Sequence, residues 1–101
     1  MGELFILDEA GEPVEEPDFR KWRLWVAEND CAVQCSYING LYISTVFLAS
    51  NHSLPGQPSI LYETRVFGLP EGQEDTQHYT TKHQALRGHR QFEMKYQQGL
   101  Q

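Results

Sequence analysis

The chain has no long apolar run. Leu4-Phe5-Ile6-Leu7 stops at Asp8, and no stretch approaches the roughly 18 apolar residues that a membrane span needs. The opening MGELFILDEAGEP also lacks the basic segment of a secretory leader. Neither membrane insertion nor export is expected. There is no HExxH and no paired CxxC, and Gly68 and Gly72 are too sparse for a phosphate-cradling loop. No metal or cofactor is therefore expected.

Cysteine is scarce, with only Cys31 and Cys35. In a strand, four steps of about 3.3 Å separate them by about 13 Å. A disulfide brings its Cα atoms to about 4.4–6.8 Å. Reduced thiols in a cytoplasmic setting are the simpler expectation.

Positive charge is in short supply as well. Eight Lys and Arg stand against 14 Asp and Glu, for a net charge of −6 over 101 residues. Such a surface repels a phosphate backbone, so nucleic acid is not an expected partner. A basic protein surface is not excluded. Residues 1–30 hold nine carboxylates against Arg20, Lys21 and Arg23, whereas Glu93 is the only carboxylate after Thr76. One reading is two oppositely charged faces that attract each other. Another is an acidic patch that binds protein or mimics nucleic acid, with Glu15, Glu16 and Trp25 as candidate partner contacts.

The length suits a single domain spanning 1–101. Residues 1–16 read as an edge hairpin around the turn Asp8–Glu12. A helix is expected over 17–30, with Asp18 capping free amides and Phe19, Trp22 and Val26 forming one stripe, flanked by Trp25. Residues 31–68 alternate as three core strands, the first two joined by Asn39-Gly40, whose residues accept the positive φ of a type I′ hairpin turn. Gly68–Asp75 reads as a polar loop. Thr81 and Gln84 fit a capping box, opening a helix over 80–98 that Gly99 can stop. Ala85, His89, Phe92 and Tyr96 form its stripe, with Gly88 beside it. The expected fold is α+β: a small antiparallel sheet of three core strands, with an N-terminal hairpin, packed against two helices.

Chemistry-bearing residues gather at few places. Asn51 and His52 end a core strand, and Glu63 lies on the strand that returns. A hairpin pairing would bring His52 and Glu63 into hydrogen-bond range, and His89 could join them. This is the candidate ligand-binding site: Asn51, His52, Glu63 and His89. The structural alternative is that Asn51 and His52 satisfy loop amides. His83 and His89, six residues apart, point about 120° apart on a helix, which opposes joint metal ligation. No catalytic residue is assigned. The strand hydroxyls Ser44, Thr45 and Thr64 suit cross-strand hydrogen bonds.

Three segments carry a resemblance: YISTVFLASNH (42–52), PSILYETRVFG (58–68) and YTTKHQALRGH (79–89). They resemble a group of small bacteriophage and prophage proteins with segments like VSTVFLGLDH and FETMVFG, followed by a Tyr-Thr turn and a helix ending in Gly-His. Ser44, Thr45, Val46, Phe47, Leu48 and His52 match the first segment. Glu63, Thr64, Phe67 and Gly68 match the second, and Tyr79, Thr80, Ala85, Gly88 and His89 the third. Asn51 departs from the group's usual Asp and Arg65 from its usual Met, and Asn51 cannot serve as a carboxylate partner of His52. The group has no assigned activity, so the resemblance implies an accessory phage function. The expectation is a cytoplasmic protein that binds a host or phage protein, with inhibition of a host defence as one form. The alternatives are a small-molecule binder or minor enzyme around His52 and Glu63, and a homo-oligomeric assembly accessory.

Overall fold

The computed structural model describes residues 3–98. The chain is α+β: two helices pack against an antiparallel sheet, beside a separate two-stranded hairpin. That hairpin is β1 (Phe5–Leu7) and β2 (Pro13–Glu15), paired Phe5 to Glu15 and Leu7 to Pro13. Its turn is held by Asp8, whose Oδ1 accepts from the amides of Ala10 and Glu12 at 2.9 Å each.

Helix α1 (Phe19–Glu28) is capped by Asp18, which accepts from Arg20 N at 2.9 Å and Lys21 N at 3.4 Å. The expected stripe is corrected at its first member. Phe19 is 58% exposed, while Trp22, Trp25 and Val26 pack against the core. A helix's first turn overhangs its support when the next layer begins further along, and Phe19 covers only the Trp22 ring, at 5.7 Å between centroids. The Trp22 indole N–H donates to the Ala49 carbonyl at 2.8 Å. Trp25 meets Phe47 edge-on at 6.0 Å, a favoured aromatic geometry.

The main sheet runs in sequence order: β3 (Ala32–Ile38), β4 (Leu41–Phe47), β5 (Tyr62–Phe67) and β6 (Thr76–Tyr79). Asn39 and Gly40 both have positive φ, 54° and 83°, as the type I′ turn requires. The sheet thus extends the three expected strands by a fourth, β6. In TQHY only Tyr79 is buried, so the strand carries no apolar alternation for a sequence reader to find.

Helix α2 (Lys82–Gln98) crosses all four strands. It opens as a capping box, with Gln84 N donating to Thr81 Oγ1 at 3.1 Å and Gln84 Oε1 reaching back to Thr80 N at 3.1 Å. Ala85, Gly88, His89 and Phe92 are buried beneath it. Gly99, the expected stop, lies outside the described residues. Strand alternation puts Ile43, Thr45 and Phe47 of β4, with Tyr62, Thr64 and Val66 of β5, on the helix side. Trp25 reaches the same side, at Phe47. Both helices therefore lie on one face of the sheet.

Candidate functional site

The structure separates the four residues of the expected ligand site. Asn51 holds its own loop: its Oδ1 accepts from Ser53 N at 2.9 Å and Ile60 N at 3.0 Å. The His52 ring is exposed and reaches only Ser50 Oγ, at 3.0 Å. His52 N donates to the Ile60 carbonyl at 3.1 Å, so Glu63 lies three residues further along, about 10 Å of extended chain. Glu63 is on the sheet face away from the helices, held by His78 Nε2 at 3.0 Å and Arg65 at 3.4 Å. His89 is on the helix side. The joint His52–Glu63–His89 cluster is thus corrected. Strand parity puts Glu63 and Thr64 on opposite faces, and only Thr64 faces His89.

His89 organises a different constellation. Its side chain is 0% exposed. Nδ1 lies 2.6 Å from Thr45 Oγ1, and Nε2 lies 2.9 Å from Ser36 Oγ. Thr45 Oγ1 lies 2.5 Å from Thr64 Oγ1. Ser36 also donates to the Glu93 carboxylate, which is 3.6 Å from His89 Nε2. One chain of contacts therefore ties α2 to β3, β4 and β5.

Hydrogen-bond valence sets its direction. Ser36 has a single hydroxyl proton and donates it to Glu93. Nε2 of His89 must then carry a proton and donate to Ser36. Nδ1 of the neutral ring accepts from Thr45, and Thr45 accepts from Thr64. Burial favours this neutral ring and holds its pKa below the usual value, although Glu93 pulls the other way. A general base at Ser36 would need Nε2 as acceptor instead. A groove of about 250 Å³ opens between β6 and α2, lined by Gln77, Tyr79, Arg87 and Phe92 among others. Another, of about 170 Å³, is shaped by Asn51 and the loop after it. Neither includes Ser36 or His89. The arrangement is a clip, buried at His89, Thr45 and Thr64 and half-buried at Ser36 and Glu93, with every member hydrogen-bonded, which rigidifies and specifies the packing of α2.

Of this clip, sequence reasoning named His89, and anticipated Thr45 and Thr64 as strand hydroxyls. Ser36 and Glu93 were missed. The His89–Glu93 spacing of i, i+4 was the available signal. Among the described residues no three His, Cys, Asp or Glu side chains group as metal ligands. Both cysteines are free thiols, Cys35 exposed and Cys31 half-buried.

The candidate partner contacts fare differently from one another. Glu15 is exposed on β2. Glu16 is half-buried and accepts from Asp18 N at 3.1 Å, and Trp25 packs against the core. No ion pair among the described residues joins the acidic first third to the basic end of the chain. All four ion pairs among the described residues fall between Glu63 and Lys95. Strand register gives Arg65, His78 and Lys95 nearer acceptors in Glu63 and Asp75. No helix among the described residues is long and apolar enough to cross a membrane.

No family model, curated protein or solved structure matches the chain.

Proposed function

We propose that the chain is a phage or prophage accessory protein of the bacterial cytoplasm that acts by binding a host or phage protein, and that the surface it occupies on that partner is basic. One observation carries this reading. The nine carboxylates of the first third make no ion pair within the described residues. Asp8, Glu16, Asp18 and Asp30 are used locally, as acceptors for backbone amides. The side chains of Glu9, Glu12 and Glu15 on the hairpin, with Glu28 at the end of α1, are exposed, and among the described residues their carboxylates hold neither a hydrogen bond nor an ion pair. Exposed, unpaired carboxylates steer a cationic partner and raise its on-rate more than they raise affinity. Phe19, exposed at the start of α1, supplies an apolar anchor of the kind that holds a steered complex together. Inhibition of a host defence component fits this mode, because it needs only occupancy.

The test is capture from infected or prophage-bearing lysate, followed by titration with the purified partner. Binding should be saturable and weaken as salt rises. The double variant Glu12→Lys, Glu15→Lys should lose it, and His52→Ala should retain it. Binding that is indifferent to both salt and charge reversal would overturn the reading.

A further inference from the structure

Strand β6 is an edge of the main sheet, and its outer side is open. It pairs with β5, and α2 is the only other named element it meets. The Asp75 carbonyl accepts from Val66 N and the Tyr79 carbonyl from Leu61 N, each at 3.1 Å. Asp75, Gln77 and Tyr79 thus turn their backbone toward β5, and alternation turns the N–H and C=O of Thr76 and His78 outward. No other backbone group among the described residues bonds to them. Proteins blunt such edges with lysine, proline or a bulge. The opposite edge, β3, is irregular between Ala32 and Gln34, whereas TQHY has none of the three devices.

A groove follows this edge on the helix side. One stretch, about 250 Å³, lies between Gln77 and Tyr79 of β6 and Gln84, Arg87 and Gln91 of α2. A second, about 210 Å³, continues it past Gln91 and Phe92 to Lys95. Gln84, Arg87, Gln91 and Lys95 follow one another at helical spacing, so α2 walls the groove with one polar stripe. Tyr79 seats against Gly88, which holds strand and wall at a fixed separation. The local charge opposes that of the whole chain. Asp75 is the one carboxylate lining either stretch, and it is already held by Lys95 at 2.7 Å and by Tyr96. Glu93 is turned to Ser36 of β3. Arg87 is exposed and enters no ion pair among the described residues.

We propose that the β6–α2 groove binds an extended acidic segment of a partner protein, added to β6 as a fifth strand, with a carboxylate side chain on Arg87. Two features select this occupant. The outward row offers donors and acceptors in alternation, and another polypeptide backbone returns both at that spacing. A phosphate backbone offers acceptors alone and would leave the Thr76 and His78 carbonyls unanswered. Charge is the second feature. A carboxylate beside Arg87 forms a charge-assisted pair, whereas a basic segment would meet Lys82, Arg87 and Arg90 on one helix. Strand alternation then sets the pattern of the segment. A residue opposite Tyr79 projects toward Gln84 and Arg87, and the next on that face, about 6.8 Å along, toward Gln91 and Phe92. The first should be Glu or Asp and the second apolar. This site uses neither the hairpin carboxylates nor Phe19, so it does not depend on the partner-binding reading.

A surface-displayed library of random decapeptides, selected on the full chain, tests it. Sequences that alternate β-branched residues with Glu or Asp should be enriched. Arg87→Glu should weaken a selected peptide by about tenfold or more in titration, and replacing that peptide's carboxylate residue with lysine should restore binding to the variant. N-methylation of alternate peptide amides should abolish binding for one set and spare it for the other. Amide exchange at Thr76 and His78 should slow in the complex, because their N–H groups gain partners. Thr76→Pro, tolerated on an edge where the N–H faces solvent, should weaken the peptide too. Enrichment of no sequence, or of the same sequences on wild type and Arg87→Glu, would overturn the proposal. So would a bound peptide that leaves exchange at Thr76 and His78 unchanged, or a single-stranded oligonucleotide that protects those two amides in its place.

Discussion

The phenol of Tyr79 occupies the space above Gly88. A Cβ built on Gly88 would stand 2.1 Å from the Tyr79 hydroxyl and 2.4 Å from the ring itself. The edge strand β6 is thereby locked against the middle of α2, and a glycine inside a helix acquires a packing reason.

Gly88→Ala should therefore destabilise the protein, although alanine favours a helix over glycine by about 1 kcal/mol. The contact involves ring atoms as well as the hydroxyl, so the ring must move, and overpacking of this kind costs about 1–3 kcal/mol. Tyr79→Phe alone should be close to neutral, because the hydroxyl has no hydrogen-bond partner among the described residues. Combined with Gly88→Ala it should recover only part of the loss. Urea midpoints for the two single variants and the double variant check all three outcomes.

Stability should fall on mild acidification. His89 is held neutral in the folded state, its pKa below the ordinary value of 6.5 chiefly because burial penalises the charged ring. The unfolded chain then binds a proton more readily than the folded one. The contribution is complete above about pH 6.5 and drains as pH falls from there toward the folded pKa. Protonated Nδ1 could no longer accept from Thr45, and the Thr45–Thr64 bond would have to reverse. Urea midpoints measured from pH 8 to pH 5 should decline, and in His89→Gln this component of the decline should vanish. Nitrogen chemical shifts should show the ring protonated at Nε2; a proton resting on Nδ1 would contradict the assigned direction of the clip.

Asn51 and His52 should respond very differently to truncation. Asn51→Ala removes the acceptor for two backbone amides and should cost about 1–3 kcal/mol, with faster amide exchange at Ser53 and Ile60. Asn51→Asp offers the same acceptor and should be tolerated. His52→Ala loses one surface contact to Ser50 and should change stability by less than about 0.5 kcal/mol.

What could be read from the sequence was local. The Asp18 cap, the Thr81–Gln84 box, the Asn39-Gly40 turn and the inward stripe of α2 each depend on residues within a turn or two of one another. Backbone valence and side-chain period are already complete in such a window. The α+β class and the two helices on one sheet followed from these elements.

Tertiary structure decided the pairings between distant residues. Whether His52 or His78 reaches Glu63 depends on where the loop after Asn51 rejoins the sheet, and one step of register moves a side chain to the opposite face. Strand β6 exists because β5 offers it a ladder and α2 covers Tyr79, not because TQHY shows a period of its own. In the sequence His89 reads as a residue on an apolar stripe that could join His52 and Glu63. It became the centre of a polar clip when Ser36, Thr45 and Thr64 arrived on three separate strands. Residue type and spacing fix which groups a segment can present, but only the folded chain settles which of them are desolvated together, and desolvation decides what a histidine or a carboxylate does.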